Sequence, residues 1–180
     1  MSAVLATLAR HERRIAVGLV VAWTALYATL AVLRHLTWNS TAFDLAVFDQ
    51  VYWNATQGRF FESTLDRGAC GPASFLGGHL SLVHVALLPV YAVVPRAETL
   101  VVLQAIVLGV GAWPLYVLAT ERLRPGPERL AFVVAYLLIA PLSWMALFDF
   151  HEIPFAIPFL GWALVFVARG QHWRAALVIG

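Results

Sequence analysis

Between Arg14 and Arg34 the chain runs for 19 residues, Ile15 to Leu33, without one charged side chain. As a helix rising 1.5 Å per residue, such a run reaches about 28 Å, enough to cross the hydrocarbon core of a bilayer; the apolar core of a signal peptide extends over only about 7–15 residues. Arg10, Arg13 and Arg14 precede the run, and no small-residue cleavage site closes it. The expectation is an uncleaved first transmembrane helix over 15–33, with residues 1–14 cytoplasmic. Composition agrees, since 61% of the residues are hydrophobic and 12% charged, where soluble domains are about a quarter charged. A net charge of +2 with dispersed arginines lacks the basic stripe that nucleic acid requires. The single cysteine, Cys70, offers neither an intrachain disulfide nor a CxxC pair.

Further apolar runs follow at Leu80–Val94, Thr99–Ala119, Leu130–Phe148 and Pro154–Ala168, and a last one opens at Ala175 and reaches Gly180, so more chain is expected beyond it. Whether Leu80–Val94 crosses decides the topology. If it does not, eight arginines lie on the cytoplasmic side and four outside; if it does, the partition inverts. The positive-inside rule selects the first arrangement, and 15 residues interrupted by His84 and Pro89 fall below the roughly 17 that a span needs. The expected fold is all-α: a polytopic transmembrane helical bundle with an extracytoplasmic loop over 34–98 and further spans over 99–180. That loop is expected to carry a short amphipathic surface helix and a re-entrant or juxtamembrane helix. Gly109 and Gly111 suit close helix packing.

This topology gathers Asp44, Asp49, Glu62, Asp66, His79 and the string FDFHEIP (Phe148–Pro154) on one face, and ionisable residues at span ends are functional candidates. Thr41-Ala-Phe-Asp44 has the form of a capping box, with Thr41 as N-cap and Asp44 at N3. Alternatively, on a helix over 42–56, Asp44 falls among Leu45, Val47, Phe48 and Val51, where desolvation would raise its pKa toward that of a general base. Asp49 lies about 140° away, on another face beside Trp53. His79 follows two glycines that permit close approach of backbone to a ligand. Asp149, His151 and Glu152 form a compact carboxylate and imidazole group, which would take a divalent cation such as Mg or Mn or close a turn. It is not a zincin motif, because the second histidine is missing. Asn39 and Asn54 are read as turn and cap residues, and Trp38 with most other tryptophans as interfacial anchors.

The strings FDLAVFDQVYWNATQGRFFESTL, GGHLSLVHVALLPVYAVVPRAETLVVLQA and FDFHEIPFAIP, in this order over Phe43–Arg169, resemble a family of prokaryotic predicted membrane proteins of unknown function. That family in turn resembles the GT-C membrane glycosyltransferases. The resemblance implies a catalytic carboxylate at Asp44, with Gly58 following, and a later external aspartate at Asp149. Of the His-Pro-Pro-Leu string of many GT-C enzymes, only His79 and Leu80 are matched. The implied chemistry is transfer of a sugar from a lipid-linked, polyprenyl-phosphate donor at the outer surface of a prokaryotic plasma membrane. On this resemblance Asp44 would act as base, with Asp49 and His79 as further catalytic candidates, and Arg59, Arg67 and Trp53 are the candidates for binding the substrate. The competing readings are a transporter, which usually carries its acids at mid-membrane, and a lipid-binding subunit without chemistry.

Overall fold

The computed structural model describes residues 3–41, 43–68, 71–78 and 80–180. Helix α1 (Ala3–Leu36) runs unbroken through the uncharged stretch, which has no proline. It is followed by α2 (Leu45–Thr56), a hairpin of β1 (Glu62–Gly68) and β2 (Gly71–Ser74), a 3₁₀ turn (Phe75–Gly77) and α3 (Leu82–Val93). The second half is helical: α4 (Ala97–Val110), α5 (Ala112–Arg122), α6 (Pro127–Leu137), α7 (Ala140–Leu147), a 3₁₀ turn (Ile153–Phe155), α8 (Ala156–Ala168) and α9 (His172–Ile179). The chain is thus mostly helical, as expected, but not all-α. In the antiparallel hairpin Glu62 pairs with Ser74 and Gly68 with Gly71, and the register slips between Ser63 and Arg67. ESTLDRG has no apolar period of 3.6 to bury as a helix, and Gln50 of α2 accepts from the Thr64 amide and hydroxyl to hold it.

Among the described residues, two helices are long and apolar enough to cross a membrane: Thr7–Leu36 within α1, and α4 continued by α5 over Ala97–Arg122. A third arises if α6 and α7, bent by 48°, count as one broken span. Helix α3, at 12 residues, covers about 18 Å, too short for the hydrocarbon core. Only 17% of the apolar stretch of α1 is buried, against 56% for α4–α5, so much of α1 presents apolar surface that must be covered by something other than water.

Helices α1 and α4–α5 lie antiparallel. Ala31 shares a core with Leu100 and Val101, Trp23 and Ala16 share one with Leu108 and Ala112, and Glu12 reaches Tyr116 and Gly126. A Cβ on Gly109 would collide with the Thr24 side chain, and one on Gly111 with the Tyr136 hydroxyl, so both glycines serve the close packing expected of them. Gly109→Val is expected to destabilise the protein by about 1–3 kcal/mol through overpacking, read as a shifted unfolding midpoint in micelles. An unchanged midpoint would show that the α1–α4 contact is not tight.

Each end of the helix layer carries a polar lock. At one end Glu12 accepts from Arg129 Nη1 at 2.6 Å and from the Gly126 amide at 2.7 Å, while Arg129 also caps the Leu123 and Thr120 carbonyls that close α5. Arg169 pairs with Glu121 at the same end. At the other end α2, the hairpin, α3 and residues 148–155 enclose an aromatic core of Phe48, Tyr52, Phe61, Phe75, Tyr91 and Phe150 around the buried His84. The N-terminal part of α1 and the loop 123–126 therefore share one end, and the functional candidates share the other.

Candidate functional site

The turn after α7 is oriented by Phe150, whose fully buried ring meets Phe48 edge-on at 5.1 Å between centroids. With Phe150 held, its neighbour Asp149, 1% exposed, faces the end of α1. Arg34 Nη1 donates to Asp149 Oδ1 at 2.5 Å, and the Thr41 amide and hydroxyl donate to Oδ2 at 2.7 and 2.5 Å. Burial pushes the Asp149 carboxyl up, but the hydrogen bonds from Thr41 and Arg34 outweigh it and hold the group below the usual carboxylate range. Behind it, buried Gln104 of α4 donates to the Met145 carbonyl and accepts from the His151 amide, both at 2.7 Å, which closes α7 and starts the turn.

Asp44 stands just before α2, whose first helical residue is Leu45. The capping box is therefore not formed: the Thr41 amide is taken by Asp149, and Asp44 makes no side-chain cap. Nor is Asp44 desolvated among apolar neighbours, since lying outside the helix leaves its side chain 32% exposed. It lies 3.2 Å from the Thr41 hydroxyl, whose one hydrogen goes to the nearer Asp149, and 3.7 Å from His151 Nε2. His151 Nδ1 is 3.1 Å from the Asp149 carbonyl, which can only accept, so Nδ1 carries a hydrogen. Nε2 is then the ring nitrogen turned toward the Asp44 carboxylate.

The family described as Predicted membrane protein (DUF2079) matches residues 34–179. The chain belongs to that family. No curated protein and no solved structure matches it. The DUF2079 segment opens at Arg34, so it contains the whole cluster of Arg34, Thr41, Asp44, Gln104, Asp149 and His151.

The remaining candidates of this DUF2079 protein fall elsewhere. Asp49 accepts from the Tyr91 hydroxyl at 2.6 Å and lines an adjoining cleft of about 480 Å³ with His35, Trp38, Ser40 and Thr41, the last of which it shares with the Asp149 cluster. Burial raises the Asp49 carboxyl despite that bond, with Glu98 raising it further and His35 opposing. Burial and the Asp49 charge likewise push up the Tyr91 phenol. Arg59 lies against Asn54 Oδ1 at 2.5 Å, and Asn54 in turn donates to the Glu62 carbonyl, the turn role expected of it. Trp53 is exposed on α2. His79 and the Arg67 side chain lie outside the described residues. The trio Asp149, His151 and Glu152 is not brought together as a ligand set: the Asp149 carboxylate faces Arg34, His151 faces Asp44, and among the described residues no three His, Cys, Asp or Glu converge on a metal position. A guanidinium on Asp149 also opposes a second cation such as Mg or Mn there.

Sequence reading missed Arg34 and Gln104. Arg34 closes the uncharged run, and Gln104 interrupts the run Thr99–Ala119. A lone amide inside a span is itself a sign of a buried polar contact.

Proposed function

We propose that this chain is the membrane part of a GT-C-like glycosyltransferase, embedded by several spans in a prokaryotic plasma membrane. It transfers a sugar from a polyprenyl-phosphate donor at the extracytoplasmic face. The observation that carries the reading is the contrast between two neighbouring aspartates. Asp149 is buried and neutralised by Arg34, whereas Asp44 is a third exposed, opposite His151, with no arginine on it among the described residues. Asp44 is then the carboxylate a substrate can reach. In this reading Asp44 takes the proton of the acceptor hydroxyl. The acceptor oxygen bonds to the anomeric carbon, the bond from that carbon to the phosphate oxygen breaks, and the lipid phosphate leaves with the electron pair. Arg59 follows the opposite end of the 12-residue α2 from Asp44 and is held on Asn54 Oδ1, about 18 Å of helix away, so it is not placed on that phosphate. The test is Asp44→Asn in nanodiscs with a polyprenyl-phosphate sugar and an acceptor: the variant folds and transfer is lost. Transfer at the wild-type rate rejects the assignment.

Sidedness has its own test. The reading puts the Glu12 and Arg129 end in the cytoplasm. Gly126 is a poor place for a reporter cysteine, because its φ of 153° favours glycine. Exposed Arg124 is the better one. Arg124→Cys on a Cys70→Ala background is expected to resist an impermeant thiol reagent in intact cells and to react after permeabilisation. Labelling in intact cells overturns the topology.

A further inference from the structure

We propose that the cleft between the end of α1 and α2 is a carbohydrate subsite, with Trp38 as its stacking face and Asp49 as its hydroxyl acceptor; the inference rests on the transferase reading above and supplies the place where the sugar sits.

The first observation is how α1 ends. The Asn39 amide donates to the Arg34 carbonyl and the Trp38 amide to that of His35, the bond pair of a Schellman motif. In that motif the residue at the position of Trp38 turns left-handed, and glycine is strongly favoured there. Helix α2 ends in the same way, with Arg59 bonded to Asn54 and Gly58 to Ala55, and there the left-handed residue is Gly58, at φ 80°. Helix α1 instead holds a tryptophan at φ 62°. A bulky side chain in this conformation is an outlier that points to function. Its effect is to stand the indole out at 94% exposure on the rim of the cleft. Interfacial anchoring does not explain the conformation, because an anchor needs depth in the membrane and not a left-handed backbone.

The second observation is the lining of the cleft. Leu36, Leu45, Ala46 and Ala97 line it together with Ser40, Thr41, His35 and Asp49. Its volume, about 480 Å³, lies in the range of about 300–1,000 Å³ usual for small-molecule sites. Tyr91 fixes Asp49 Oδ1, leaving Oδ2 to accept from a ligand. His35 Nδ1 is 2.8 Å from Ser40 Oγ, which sets the hydroxyl at the wall. An acceptor-only carboxylate, oriented hydroxyls and an aromatic face match a neutral polyhydroxylated ring, whose C–H face stacks on indole while its hydroxyls donate. With no arginine in the lining, a free anion is poorly matched.

The experiment uses the whole chain in nanodiscs, free of glycoside detergents. Saturation-transfer NMR is run with a panel of methyl hexosides and N-acetylhexosamines as probes. Wild type is expected to bind at least one probe saturably. Trp38→Ala is expected to weaken that binding at least tenfold, Trp38→Phe to keep most of it, and Asp49→Asn to weaken it. Ala46→Trp, which fills the cleft from an exposed position, abolishes it. Trp38 is too exposed for its loss to unfold the protein, and Ala46→Trp supplies a second route if it does. Saturable binding by no probe, or binding unaltered in both Trp38→Ala and Ala46→Trp, overturns the proposal. Asp44→Asn separates the two readings. Sugar transfer by wild type without saturable probe binding removes the subsite alone. Probe binding together with undiminished transfer by Asp44→Asn removes the assignment of the base alone.

Discussion

Asp149→Ala is expected to lower folding stability by about 3–5 kcal/mol, the cost of removing one partner of a buried ion pair while the other remains. The variant leaves the Arg34 guanidinium without its carboxylate and strips the Thr41 amide and hydroxyl of their acceptor, although exposed Thr41 can turn to water. Arg34 keeps 29% of its side chain exposed and can partly rehydrate, which places the loss toward the lower end. Replacing both partners, Arg34→Met with Asp149→Leu, is expected to recover most of the stability, because no buried charge is then left alone. Urea unfolding in micelles compares the three proteins, and a single variant as stable as wild type would show that the bridge adds nothing. The pH dependence has a definite sign. The folded-state carboxyl sits below its ordinary value of about 3.9, so its contribution is fully present above that pH and is lost as pH falls through the lower, folded value. Between pH 7 and 5 this residue changes nothing, whereas stronger acid frees the turn from α1.

Much of the fold was legible because a membrane simplifies the code. The uncharged Ile15–Leu33 and the run Thr99–Ala119 lie within unbroken apolar helical stretches, and Leu80–Val94 folds as a helix too short to span. The hairpin was not legible, since ESTLDRG lacks both a helical period and a strong alternation, and its pairing depends on Gln50 from another element. Local pattern also misplaced the start of α2. Thr41 and Asp44 have capping-box spacing, but the Thr41 amide is claimed by Asp149, 108 residues away in sequence. The same long-range contact moves Asp44 from a helical face to an exposed position. The meeting of Asp44 with Asp149 and His151 was anticipated from chain order, but the partners that orient them were not. Arg34 reads as the first residue of a polar loop and Gln104 as one amide in an apolar run, and only the tertiary arrangement puts both on residues 148–151.

Asp44→Asn is expected to lower sugar transfer by about 10²–10⁴, the contribution of a positioned general base, while leaving stability almost unaltered. The asymmetry follows from the surroundings. Asp44 is partly solvated and lies 3.2 Å from a Thr41 hydroxyl whose one hydrogen goes to Asp149, so exchange for the isosteric asparagine removes no strong hydrogen bond. What asparagine cannot do is take a proton from a substrate. Thr41→Ala provides the opposite case. It removes the hydroxyl that donates to Asp149, and at about 1.5–3 kcal/mol for a hydrogen bond to a charged group it is expected to shift the unfolding midpoint while keeping the base and most of the turnover. A chemical role for Asp44 predicts that the two variants separate, one losing rate and the other stability. If both lose the same modest fraction of rate and stability together, Asp44 is part of the scaffold that holds Asp149, and the proton acceptor lies elsewhere.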